Sequence, residues 1–138
     1  MIPFFVYGTL RPGEPNHAAY VRGRARSEEP ATLPGAVLYD GPGYPYAVES
    51  SLAQGAGIRG ELMTPRPALY GWLLAALDVL EEYTAPGAPG NVYERIAREV
   101  RLDDGRAVRA WVYVAAPEVE KGLRERGRVI ETGDWRDR

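Results

Sequence analysis

Few residues in this chain can do chemistry. Its 138 residues include no cysteine and one histidine, His17. Thiolate catalysis, disulfides and cysteine-based zinc sites are therefore excluded. The sequence has no Gly-x-Ser-x-Gly elbow, no Gly-x-x-x-x-Gly-Lys-Ser/Thr phosphate loop and no His-Glu-x-x-His. A serine hydrolase would have to rest on His17, whose segment reads as surface or as a helix start. For moving a proton, a carboxylate remains, with a tyrosine as a helper.

Helical spacing singles out one carboxylate. Leu69, Leu73, Ala76, Leu77 and Leu80 recur at helical intervals and make one apolar stripe. At about 100° per residue, Asp78 and Glu82 project nearly opposite that stripe. Glu81 lies at its border, one turn beyond Leu77, where the carboxyl is partly desolvated. Partial burial raises a carboxyl pKa, which suits a group that accepts and returns a proton near neutrality. On helix geometry alone, a boundary glutamate that snorkels or pairs with an arginine is the commoner arrangement.

A complementary feature lies near the N-terminus. A strand that stops at Tyr7-Gly8 leaves the amides of Gly8, Thr9 and Leu10 without ladder partners. Successive amides in a turn form an anion-binding nest, and Gly8 lets a ligand approach the backbone. A plain glycine turn at a strand end fits the same residues.

These groups need elements to position them. Ile2–Tyr7 reads as a buried strand and Asn16–Arg22 as a short helix capped by Asn16. Arg22–Arg26 reads as a solvated loop or helix end. Ala36–Tyr39, Tyr46–Glu49 and Ile58–Met63 are predicted strands, the first two separated by the Gly- and Pro-rich Asp40–Pro45. Thr64–Tyr83 is the predicted long helix, with Thr64 as N-cap and Pro65 in the first helical position. Val92–Leu102 and Ala107–Ala115 form a hairpin, with Asp104-Gly105 as a two-residue turn signal. Pro117–Arg126 is a polar helix, and Val129–Trp135 returns as a strand. The class is α+β, in a single domain over 1–138.

Composition narrows the partners. With 45% apolar residues the chain can build a core. A net charge of -2 with scattered basic residues argues against nucleic acid. No apolar run reaches the ~20 residues that cross a bilayer, and Met1–Val6 lacks the features of a secretory signal. The expectation is a soluble cytoplasmic protein, monomeric or a homodimer.

The segment Phe5-Val6-Tyr7-Gly8-Thr9-Leu10-Arg11-Pro12-Gly13 resembles the Tyr-Gly-Ser/Thr-Leu signature of the γ-glutamylcyclotransferase-like (AIG2-like) proteins. Its continuation Glu14-Pro15-Asn16-His17 is most similar to the branch acting on γ-glutamylamines. Leu77-Asp78-Val79-Leu80-Glu81 resembles the family's Leu-Asp-x-x-Glu helix end, and Tyr93-Glu94-Arg95 its Tyr-x-Arg. Gly43-Tyr44-Pro45 and Gly133-Asp134-Trp135 are similar to bacterial members. One departure is Glu82, where many members carry glycine or a small residue.

The resemblance implies a small mixed β-barrel with outer helices. It implies release of 5-oxoproline and a free amine from a γ-glutamyl amine or amino compound, with no cofactor and no metal. Glu81 would be catalytic, and Gly8, Thr9 and Leu10 would bind substrate. Tyr93 would shape the pocket, and Tyr7 is open between that role and a core aromatic. Arg95 is open between support of the site and the outer strand face. Trp111, Tyr113 and Trp135 read as packing. The leaving-group side falls to the loops Ser50–Gly57 and Thr84–Asn91. A rival expectation is a non-catalytic module that binds a small metabolite or protein on the same fold.

Overall fold

The computed structural model describes residues 1–51 and 57–138. Among these residues the strands are β1 (Phe4–Val6), β2 (Ala25–Pro34), β3 (Ala36–Tyr39), β4 (Tyr46–Glu49), β5 (Gly57–Pro65), β6 (Tyr93–Leu102) and β7 (Ala107–Ala115). Two α-helices join them, α1 (Tyr70–Leu80) and α2 (Pro117–Arg126). Five strands close into a barrel in the order β1-β5-β2-β6-β7, and β3 pairs with β4 in a separate two-stranded sheet. The barrel is closed by a parallel contact between β1 and β7 at Phe4 and Trp111. This is the expected α+β class with a small mixed barrel. No helix among the described residues is long and apolar enough to cross a membrane.

The period-two alternation of β1 divides the core. Phe5 and Tyr7 pack with Leu33, Leu62 and Val112 in one cluster. Phe4 and Val6 pack on the other face with Met63, Leu73 and Leu77. That second cluster holds α1 against the barrel. Leu73 and Leu77 are fully buried, at roughly 1.5–3 kcal/mol each.

Several elements differ from expectation. β2 was not expected: its sequence is polar and contains Pro30 and Pro34, and only Ala31 and Leu33 are buried along it. It nevertheless pairs antiparallel with β5 from Ala25 to Pro34. The long helix starts later than predicted, because β5 runs on through Thr64 and Pro65. Pro67 then holds Arg66 in an extended conformation (ψ 131°) and opens a 3-10 turn that leads into α1. The N1 proline is thus Pro67, and Thr64 is a strand residue. Asn16 makes no cap; its side-chain amide donates to Thr9 Oγ1 at 2.9 Å, and His17–Val21 is a single π-helical turn. His17 itself is buried, with Nε2 2.7 Å from Glu28 Oε1.

Between β6 and β7, Leu102 N–H donates to the Arg106 carbonyl, which leaves Asp103, Asp104 and Gly105 as the turn, with Gly105 at φ 94°. The tail does not form a strand. Val129 makes one isolated bridge to Tyr39. Asp134 then caps a 3-10 turn at Trp135–Asp137 and accepts from Arg11, which takes it out of any ladder.

The end of α1 is a Schellman motif, with Tyr83 N–H donating to Asp78 C=O and Glu82 N–H to Val79 C=O. Glu82 occupies the left-handed position (φ 51°) that glycine usually fills, at a cost of roughly 1–2 kcal/mol for a side chain.

Candidate active site

β1 delivers its loop, and α1 its last turn, to one cavity of about 300 Å³. Tyr7, Gly8, Thr9, Leu10, Glu81 and Tyr93 all line it. Glu81 is the C-cap of α1 (φ −88°, ψ 6°), so the helix ends with this side chain at the cavity wall. It is partly buried, and its carboxylate accepts no hydrogen bond and forms no ion pair among the described residues. Burial, with the negative charge of Glu82 adding to it, pushes the Glu81 carboxyl up to about 7. The pairing with an arginine that the sequence left open is not formed among the described residues.

The loop after β1 is held from behind. Arg11 N–H donates to Gly8 C=O, and Asn16 N–H to Thr9 C=O. The Asn16 side chain grips the Thr9 hydroxyl. These bonds use carbonyls and a hydroxyl. The amides of Gly8, Thr9 and Leu10 donate no hydrogen bond among the described residues. Gly8 has a packing reason that the sequence did not show: a Cβ there would lie 2.7 Å from Pro45 Cδ. Pro45 belongs to the loop that brings Tyr44 to the cavity wall.

Both tyrosines named from the sequence are fixed by backbone groups. Tyr7 OH donates to the Tyr113 carbonyl at 2.5 Å and accepts from Ala47 N–H at 3.2 Å. Tyr93 OH donates to the Pro45 carbonyl at 2.8 Å. Burial first, and nearby negative charge second, hold both phenols well above their ordinary range. They stay protonated and form walls. Among the described residues, no group of three or more His, Cys, Asp or Glu side chains is placed to hold a metal ion.

Asp78 is not solvated, as helix geometry had suggested. It accepts from Arg95 Nε (2.8 Å) and Nη2 (3.2 Å) and from Tyr113 OH (2.6 Å). Arg95 is itself stacked on Trp111, its guanidinium carbon 4.3 Å from the ring centre. Arg95 thus supports the end of α1 across from β6, and Tyr113 lines the cavity as well as packing in the core.

A family model described as γ-glutamyl cyclotransferase, AIG2-like, matches residues 4–137. The chain belongs to that family. Among curated relatives, a γ-L-glutamyl-butirosin B γ-glutamyl cyclotransferase from Niallia circulans is 34% identical over 111 residues, 80% of this chain and 64% of the relative. The match therefore spans less than two thirds of that protein. A crystal structure of an AIG2-like protein from Mus musculus is similar at 25% identity and TM-score 0.57, covering 87% of this chain and 82% of that one. An uncharacterized Pyrococcus horikoshii protein shares the fold at 24% identity and TM-score 0.59, covering 98% of this chain and 90% of that one.

Within this γ-glutamyl cyclotransferase-family chain, sequence reasoning missed several residues at the cavity. Asn16, Tyr44, Pro45, Glu82 and Tyr113 line it too. Asn16, Tyr44 and Pro45 lay inside the quoted motifs, so a signal existed for them. Arg11 also stood in the opening motif, but nothing local marks it as the centre of a buried ion cluster with Glu61 and Asp134. Of the two loops expected on the leaving-group side, residues 52–56 lie outside the described residues. Of Thr84–Asn91, no residue lines the cavity, whereas the neighbouring Glu82 and Val92 do.

Proposed function

We propose that this protein converts a γ-glutamyl amine or γ-glutamyl amino compound to 5-oxoproline and the free amine by intramolecular acyl transfer. One observation carries the reading: among the described residues, a partly buried Glu81 carboxyl with no partner, which burial pushes up to about 7, shares a cavity with three amides that donate no hydrogen bond.

The chemistry follows from those groups. The substrate's α-ammonium gives a proton to the Glu81 carboxylate. The freed amine attacks the substrate's own γ-carbonyl carbon and closes a five-membered ring, placing negative charge on the carbonyl oxygen. The bond from that carbon to the leaving nitrogen then breaks as Glu81 returns the proton to it, and the ring nitrogen gives its second proton to the regenerated Glu81 carboxylate, from which the released amine takes it to leave as an ammonium ion. No water is consumed. Having both reactants on one molecule removes much of the entropic barrier. An α-amine has a pKa of ~8. A carboxyl at about 7 is mismatched by about one unit, or ~1.4 kcal/mol. An ordinary carboxylate would face a mismatch of about 4 units, ~5 kcal/mol. The raised carboxyl is therefore the better shuttle. The Gly8–Leu10 amides bind the α-carboxylate and aid the developing oxyanion.

The test is a panel of γ-glutamyl amino acids and γ-glutamyl amines, assayed for 5-oxoproline. At least one should turn over. Glu81→Gln should lose about 10³-fold in kcat, with an unchanged circular dichroism spectrum. Equal turnover by Glu81→Gln would contradict the assignment. No turnover by the parent protein, with tight binding of an unrelated ligand, would favour a binding module instead.

A further inference from the structure

The proposed reaction leaves one charged group of the cavity without a task. Glu82 lines it beside Glu81, and its carboxylate has no hydrogen-bond or ion-pair partner among the described residues. The helix end does not need that side chain. The Schellman turn demands a left-handed residue, which glycine supplies without strain. Several acids near the barrel have a cation partner: Glu61 and Asp134 share Arg11, Asp78 has Arg95 and Glu49 has Arg98. The cavity lining instead holds two glutamates and no Lys, Arg or His among the described residues.

Charge bookkeeping then points to the substrate. In the reaction above, the glutamyl α-carboxylate is taken by the amides and the α-ammonium by Glu81. Both charges of the glutamyl head are thereby answered, and Glu82 is not. Glu82 is exposed, and a neutral leaving group placed over it would displace water from its carboxylate and offer no charge in return. A cationic one would pair with it. Tyr44 adds to the same preference: its ring stands at the cavity rim, 37% exposed, and an aromatic face attracts a cation.

We infer that Glu82 is a specificity-determining residue, selecting γ-glutamyl compounds whose leaving amine carries a second, positively charged group. This rests on the reaction proposed above.

The experiment compares γ-glutamylputrescine with its neutral isostere, γ-glutamyl-n-pentylamide, in which a methyl replaces the ammonium. The parent protein should prefer the cation by about tenfold in kcat/KM at low salt. The preference should shrink as ionic strength rises. Glu82→Gln and Glu82→Gly should both bring the ratio close to one. The first keeps the backbone strain and the second relieves it, so agreement between them assigns the effect to charge. Equal turnover of the two compounds by the parent, or a preference that survives in both variants, would overturn this inference and leave the reaction standing. Turnover of neither compound, nor of any γ-glutamyl amine or amino acid, would overturn both.

Discussion

Immediately after the Gly8–Leu10 loop, the Arg11 guanidinium is shared by Glu61 and Asp134; across the cavity wall, Glu81 and Glu82 have no cation partner among the described residues. The first group is built to hold. Arg11 reaches Glu61 at 2.8 and 3.2 Å and Asp134 at 2.8 Å, with Arg11 and Glu61 both buried. It ties the opening loop to β5 and to the C-terminal turn. One guanidinium serves two carboxylates, and against the effect of burial the Arg136 backbone amide and Arg11 together hold Asp134 below the usual carboxylate range. The second group stores its charge unspent. The same contrast repeats at the end of α1, where Asp78 is engaged by Arg95 and Tyr113 and the C-cap Glu81 has no partner among the described residues. Acids that position are paired, and the acid proposed to react is not.

The comparison can be broken by removing partners. Arg11→Met should have the largest effect, because it leaves Glu61 charged and buried; a loss of about 3–5 kcal/mol in chemical denaturation is expected. Adding Glu61→Gln to that variant should recover part of the loss. Independent, additive effects in the double-mutant cycle would mean that the pair is not coupled. Asp78→Asn should cost less, about 1–2 kcal/mol, since the Asp78–Arg95 pair is partly exposed and the amide can still accept one bond. Its activity should drop only modestly, through loosening of the turn that carries Glu81. An Asp78→Asn loss as large as that of Glu81→Gln would erase the distinction between positioning and reacting acids.

Much of this arrangement was legible in the sequence, for identifiable reasons. β3, β4 and α2 fall at their predicted boundaries because Gly, Pro and Asp punctuate them. Glu81 was placed correctly at the stripe border because Leu73 and Leu77 do face the core. The Gly8–Leu10 amides followed from where the strand stops. What was hidden depended on distant partners. β2 looks like loop because only Ala31 and Leu33 of its ten residues are buried. Asp78 projects away from the leucine stripe, and only the approach of β6 and β7 buries it. The start of α1 was misjudged because Pro65 and Pro67 both suit a first turn, and only the pairing of β2 with β5 decides between them. The left-handed Glu82 was visible only as a departure from the family pattern.

A carboxyl near pH 7 must also mark the protein's stability. Glu81 releases its proton near pH 7 when folded and near 4.5 in the reference state. Between those values the folded protein binds the extra proton, so stability falls as pH rises through the window. The penalty is absent below about pH 4.5 and complete above about pH 7, on the order of 3 kcal/mol. Glu81→Gln should remove it. The most direct measurement is an NMR titration of glutamate side-chain carboxyl carbons from about pH 4 to about pH 9, with the Glu81→Gln spectrum assigning the resonance. One resonance should move with a midpoint near pH 7 and be missing from the variant. If the Glu81 resonance instead titrates below about pH 5, like a solvated carboxylate, the proton shuttle proposed for this cavity is wrong.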